Sequence, residues 1–169
     1  MNRNFDRSFD WVLQSEGGFS DSIGDPGGAT KYGCTKATWE MYVGHEVSID
    51  DMKNLTPEQV KPLYKTRYWD AIHGDALPSG LDYCLFDACI NSGNVRASKW
   101  IQEIVGVFVD GAIGNNTLAA ISQINPVTLI NEYCAKRLEF LKTLKLWPMF
   151  GDGWGKRVSQ VRIRALELV

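Results

Sequence analysis

Phe5-Asp6-Arg7-Ser8-Phe9-Asp10-Trp11-Val12-Leu13-Gln14-Ser15-Glu16-Gly17-Gly18 sets the character of the chain. Phe5, Phe9, Val12 and Leu13, with Trp11 alongside, recur at the three- and four-residue spacing that gathers apolar side chains on one face of an α-helix. That spacing predicts a helix over 4–16. Glu16-Gly17-Gly18 ends it, because glycine leaves a helix readily. The same period returns further along the chain. It predicts helices at 36–43, from Thr56 (a capping residue followed by Pro57) to about 69, and at 81–92, 97–105, 116–123, 127–145 and 156–168. Asp50-Asp51 looks like one more helix start. Gly151, Gly153 and Gly155 are expected to break the chain before the closing helix. Between Phe19 and Thr35 the period disappears into glycine turns with too few β-branched residues for a robust strand. The expected fold is mainly α, with about eight helices and at most one small β-hairpin.

Composition excludes several classes. With 44% hydrophobic and 11% aromatic residues, the 169-residue chain can bury a real core, so disorder is not expected. No apolar run approaches the ~18 residues of a membrane helix. Met1 to Arg7 lacks the apolar stretch of a secretory signal, so synthesis in the cytoplasm is expected. A net charge of −2 argues against a general nucleic-acid binder. The charge is uneven, however: residues 1–95 carry −6 and residues 96–169 carry +4. Residues 136–169 alone carry +5, a basic segment able to meet an acidic polymer or to serve as an ordinary solvated face. Cys34, Cys84, Cys89 and Cys134 are too scattered for a zinc site and read as buried, reduced thiols. No metal and no cofactor are expected, since a phosphate-binding glycine loop is also missing. A monomer is expected.

The chemistry concentrates where the first helix stops. Glu16 ends an apolar helix, and Asp21 and Asp25 follow in a glycine-rich loop. Partial desolvation beside Phe19 and Trp11 would raise the Glu16 pKa toward use as a general acid, while Asp25 on a more solvated loop stays ionised. Two carboxylates held in unlike environments supply the acid and base of glycoside cleavage. The competing readings are a plain glycine turn with solvated acids, or a Ca²⁺ loop. The second lacks the alternating oxygen ligands and closing Glu of an EF-hand. Asp87 and Asn91, four apart on the 81–92 helix, share a face that forms either the floor of a cleft or a buried polar network. Tyr32, Tyr68, Trp69 and Trp147 either stack on sugar rings or pack in the core.

Glu16-Gly17-Gly18-Phe19, Asp25-Pro26-Gly27-Gly28-Ala29-Thr30 and Lys31-Tyr32-Gly33-Cys34-Thr35 together resemble the signature of glycoside hydrolase family 108. These are N-acetylmuramidases of phage endolysins and of some secretion-associated bacterial proteins. The resemblance continues through Leu85-Phe86-Asp87, Asn91-Ser92-Gly93, Trp100-Ile101-Gln102 and Val109-Asp110-Gly111-Ala112-Ile113-Gly114. Cys34 stands where the family usually has isoleucine. The resemblance implies a lysozyme-like fold of two lobes with the active-site loop between them. It also implies a catalytic region over 1–95 and a peptidoglycan-binding helical region over 96–169, packed as one compact unit. It further implies hydrolysis of the β-1,4 bond between N-acetylmuramic acid and N-acetylglucosamine, on a cell wall reached after release or export. A more distant likeness to phage-type lysozymes, which place a Glu at a helix end, an Asp nine residues on and a Thr soon after, implies roles. Glu16 would be the acid, with Asp25 and Thr30 holding the attacking water in an inverting mechanism. On the functional readings of their own positions given above, Tyr32, Asp87 and Asn91 are the residues expected to meet substrate. The alternatives are a lytic transglycosylase, which needs no water-positioning carboxylate, and an inert wall-binding or secretion-accessory protein.

Overall fold

The computed structural model describes residues 3–16, 18–20 and 28–169. Among these, nine α-helices and one two-stranded sheet make a mainly α, lysozyme-like fold. The chain divides into two compact units, one of residues 9–67 and one of residues 1–8 with 68–169. Their boundary falls inside the first helix and after Arg67, so residues 68–95 share a unit with 96–169.

The first unit holds most of α1 (Arg3–Ser15), the strands β1 (Thr30–Lys31) and β2 (Cys34–Thr35), and the helices α2 (Lys36–Val43), α3 (Ile49–Asn54) and α4 (Pro57–Tyr64). Its core is small: Phe9, Val12, Cys34, Trp39, Met52, Val60, Leu63 and Tyr64 are buried. Such a short sheet and such short helices need local fastening, and each has it. The Thr35 side chain caps α2 by accepting from the Thr38 amide at 3.2 Å. Reciprocal capping boxes open α3 (Ser48 with Asp51) and α4 (Thr56 with Gln59). The last turn past α4 widens into a π-helical turn, Lys65–Trp69.

The second unit is built around α5 (Leu81–Ser92), whose residues from Leu81 to Cys89 are all buried. A helix buried on every side belongs at the centre of a core, and its two buried acids, Asp82 and Asp87, must then find partners there. α6 (Asn94–Val105), α8 (Pro126–Lys142) and α9 (Trp147–Leu166) pack against it, and α7 (Asn115–Ile121) packs on α6. Trp69, expected either to stack on sugar or to fill the core, does the second. It is 1% exposed and meets the rings of Phe5 and Phe86 edge-on at 5.4 and 5.5 Å.

One expectation fails. The three glycines at 151, 153 and 155 do not break the chain but lie inside α9, which starts at Trp147. One of them accommodates a ring. A Cβ at Gly151 would come within 2.6 Å of Trp147 Cδ2 and Cε2, and one at Gly155 would touch Cη2 at 4.0 Å. Gly151 leaves the backbone bare where the indole lies on it, whereas Gly155 is only in ordinary contact with the ring and Gly153 meets nothing within 4 Å. No helix among the described residues is long and apolar enough to cross a membrane.

Candidate active site

Glu16 directly follows α1, and its amide still donates to the Val12 carbonyl at 3.0 Å, so the last turn of the helix fixes its backbone. The side chain is half-buried. Its carboxylate reaches the turn of the β1–β2 hairpin: a Cβ added to Gly33 would lie 2.8 Å from Glu16 Oε2 and 3.0 Å from the Tyr64 hydroxyl. Three elements from distant parts of this unit's sequence therefore meet at one α-carbon.

The hairpin turn that receives Glu16 is unusually determined. Thr30 pairs with Thr35 and Lys31 with Cys34, leaving Tyr32 and Gly33 as a two-residue loop with φ of 53° and 76°. Positive φ at both central residues is the primed geometry that matches the twist of antiparallel strands. Glycine adopts it freely, whereas tyrosine does so at a cost. The Tyr64 hydroxyl offsets that cost by donating to the Tyr32 carbonyl. Tyr64 is itself buried, its ring edge-on to Phe9 at 5.5 Å.

Thr30 is pinned on both sides. Beyond its pairing with Thr35, it exchanges two backbone hydrogen bonds with Ser20, each 2.8 Å. Its hydroxyl donates to the Gly28 carbonyl at 3.2 Å, which leaves the oxygen's lone pairs as acceptors. Around the hairpin the Lys31 ammonium lies 5.3 Å from the centre of the Tyr32 ring, and Lys53 lies 5.8 Å from that of Phe19. Lys31 also donates to the Lys53 carbonyl. Among the described residues, the hairpin and its surroundings thus offer the Glu16 carboxylate, the Thr30 and Tyr64 hydroxyls, aromatic faces and the Lys31 and Lys53 cations. Burial pushes the Cys34 thiol up to about 11, and Arg67 only partly opposes this, so Cys34 stays a neutral core side chain.

The predicted site residues do not all share this setting. Glu16, Thr30 and Tyr32 sit in one unit, and Tyr32 is half-buried there. Asp21 and Asp25 lie outside the described residues. Asp87 and Asn91 belong to the other unit and differ in exposure: Asn91 is exposed at the end of α5, whereas Asp87 is 0% exposed. Of the two readings of Asp87, the buried polar network is the one present. Its Oδ2 accepts from Arg137 Nη1 at 2.6 Å, and its Oδ1 accepts from Arg157 Nη2 at 2.9 Å. Burial alone would raise the Asp87 pKa, but the two arginines outweigh it and hold the carboxyl below its ordinary value.

These pairs also thin out the basic C-terminal segment. Arg137 and Arg157 are spent on Asp87, Lys136 meets Glu103 at 2.7 Å, and Lys156 meets Asp152 at 2.8 Å. The charge arithmetic missed this because it cannot tell which partner each cation faces. Tyr64 was missed too: in the sequence it is one more apolar position on a helix, and only its contact with the hairpin marks it out.

The chain matches two families in succession: "Glycosyl hydrolase 108" over residues 9–93 and "Predicted Peptidoglycan domain" over residues 96–159. It is also similar to a solved structure of Brucella abortus SagA, with 42% identity over 99% of this chain and 97% of that one, at a TM-score of 0.89. No match is found among curated proteins.

Proposed function

This chain belongs to the glycosyl hydrolase 108 family, a glycoside hydrolase directed at peptidoglycan, and on that premise we propose that it is an N-acetylmuramidase. It cleaves the β-1,4 bond between N-acetylmuramic acid and N-acetylglucosamine with inversion. The observation that carries this reading is the placement of the Glu16 carboxylate, at the rigid end of α1 and against the Gly33 turn, next to a strand that holds Thr30 from both sides.

In the proposed reaction the protonated Glu16 gives its proton to the glycosidic oxygen as the C1–O bond breaks. Water attacks C1 from the opposite face and loses a proton to the Asp25 carboxylate. Thr30, whose own proton is committed to the Gly28 carbonyl, accepts a hydrogen bond from that water and orients it. Inverting enzymes separate their two carboxyls by roughly 6.5–9.5 Å to admit the water. Tyr32 and Asn91 are the residues offered to the sugar chain, while Asp87, closed off by Arg137 and Arg157, anchors the core of its own unit. Residues 1–95 form the catalytic region and 96–169 the wall-holding region. The enzyme acts as a monomer on the bacterial cell wall, after synthesis in the cytoplasm and release or export.

Mass analysis of digested peptidoglycan tests the reading. Products ending in reducing N-acetylmuramic acid support it. Reducing N-acetylglucosamine would move the cleaved bond, and a 1,6-anhydro end would make the protein a lytic transglycosylase. Absence of soluble products would leave an inert wall binder.

A further inference from the structure

Tyr64 places a buried hydroxyl on a backbone group of another element. It is the last residue of α4, immediately before the π-helical turn, and is 1% exposed. Its ring lies edge-on to Phe9 at 5.5 Å, a contact that phenylalanine would make as well. The core therefore needs the ring and not the hydroxyl, which costs stability when buried unless it is bonded. The hydroxyl donates to the Tyr32 carbonyl in the β1–β2 turn.

Two consequences meet at Gly33. Tyr32 has a φ of 53°, a left-handed backbone that an L side chain holds at a cost, and the bond to its carbonyl fastens that peptide. The next residue, Gly33, is the seat of the Glu16 carboxylate. One point beside its α-carbon lies 2.8 Å from Glu16 Oε2 and 3.0 Å from Tyr64 Oη. The Tyr64 ring in turn packs against Phe9 on α1, the helix whose last turn fixes the Glu16 backbone. Tyr64 thus touches both parts that place the acid, the helix with its ring and the turn with its hydroxyl. Phe9, Glu16, Tyr32, Gly33 and Tyr64 all lie in the 9–67 unit.

A general acid works only where its proton reaches the leaving oxygen, and a displacement of about 1 Å can slow a reaction ~10²-fold. We infer that Tyr64 is a positioning residue for proton delivery: its hydroxyl holds the Tyr32–Gly33 turn against the Glu16 carboxyl, so that the acid meets the glycosidic oxygen. Tyr64 itself neither gives nor takes a proton. The Glu16 O–H bond breaks as its proton joins the leaving oxygen, which keeps the electron pair of the C1–O bond. The inference rests on the reading of Glu16 as the acid.

The test compares two leaving groups. One substrate is a soluble peptidoglycan oligosaccharide with its natural linkage. The other carries dinitrophenol in place of the leaving N-acetylglucosamine, and dinitrophenolate departs without a proton. With Tyr64→Phe, kcat on the natural linkage should fall ~10–100-fold while KM stays within about twofold. On the dinitrophenyl glycoside kcat should stay within about threefold of wild type. Glu16→Gln should show the same contrast more strongly. Gly33→Ala disturbs the same seat from the exposed turn, should show the contrast too, and carries the test if Tyr64→Phe does not fold. Equal losses on both substrates, or a rise in KM alone, would make Tyr64 a structural residue and overturn the inference. Wild-type kcat on both overturns it as well. If the wild-type chain leaves the dinitrophenyl glycoside intact, the division of the loss between kcat and KM on the natural linkage decides. Equal losses by Glu16→Gln on both substrates would instead overturn the reading of Glu16 as the acid.

Discussion

The Glu16 carboxylate and the α-carbon of Gly33 are in such close contact that a single methyl group at 33 would sit 2.8 Å from Oε2. The contact makes the hairpin turn part of the acid's environment. Glu16→Gln keeps the side-chain shape and removes the titrating proton, so turnover should fall by the ~10²–10⁴-fold typical of lost acid catalysis, with circular dichroism unchanged. Gly33→Ala attacks the same contact from the other side. It places a Cβ on a residue with φ of 76°, where an L side chain costs roughly 1–2 kcal/mol, and it drives that Cβ into the carboxylate. Turnover should drop while the chain still folds. Wild-type turnover by either variant would remove Glu16, or its seat on the turn, from the mechanism.

Asp87 is predicted to matter for stability. With Asp87→Asn, Arg137 at 1% exposure keeps its charge but loses the carboxylate that neutralises it. Breaking a buried pair on one side typically costs ~3–5 kcal/mol. In a chain of this length that lowers the midpoint of thermal unfolding by roughly 6–20 °C. The acid limb follows from the same pair. The folded-state pKa of Asp87 lies below its unfolded value. Its contribution is therefore present above the unfolded value of ~3.9 and is lost as the pH falls through the folded one. A midpoint within a degree of wild type at pH 7 would show that the triad contributes nothing net.

Asp82 shifts the other way. Burial pushes its carboxyl up to about 6, although Asn4 and the amides of Tyr83 and Gly80 donate to it. A raised folded-state pKa means that the protonated form is the one that favours folding. That contribution is complete below the unfolded value of ~3.9 and is lost as the pH rises through about 6. Asp82→Asn should flatten the thermal midpoint between pH 4 and 7 relative to wild type. Parallel pH curves for the two proteins would rule the shift out.

Where the chain folds by local rules, its sequence is easy to read. The apolar period of α1, the cap at Thr56 with Pro57 behind it, and the largely apolar run of α5 each predict the element that forms. The failures come from side-chain contacts that the apolar period does not encode, most of them between distant residues. Gly151 reads as a break because the glycine run does not say that Trp147, one turn earlier, will lie on it. Tyr32 gives no hint of a left-handed backbone, since what sustains it is a hydroxyl from Tyr64, 32 residues away. For Asp87 the helical period correctly placed a polar group on α5. It could not say that arginines 50 and 70 residues later would close over it. For the site, Glu16 and Thr30 were legible as a motif, and Tyr64 was not.

The second carboxylate can be assigned by comparing two variants. Asp25 lies nine residues after Glu16 and five before Thr30, the strand residue pinned by Ser20 and Thr35. Asp21 lies only one residue beyond Ser20. If Asp25 takes the proton from the attacking water, Asp25→Asn removes that base while keeping its size, and turnover should fall by ~10²–10⁴-fold. Asp21→Asn should keep most of its activity. Adding azide sharpens the comparison, because a small anion can replace the lost base and attack from the water's side. It should partly restore Asp25→Asn and give an α-glycosyl azide, the inverted product of a β-linked substrate. A β-glycosyl azide would mean that another group forms a glycosyl-enzyme intermediate and that Asp25 is not the base of an inverting attack, and severe impairment of Asp21→Asn with Asp25→Asn unaffected would transfer the role to Asp21.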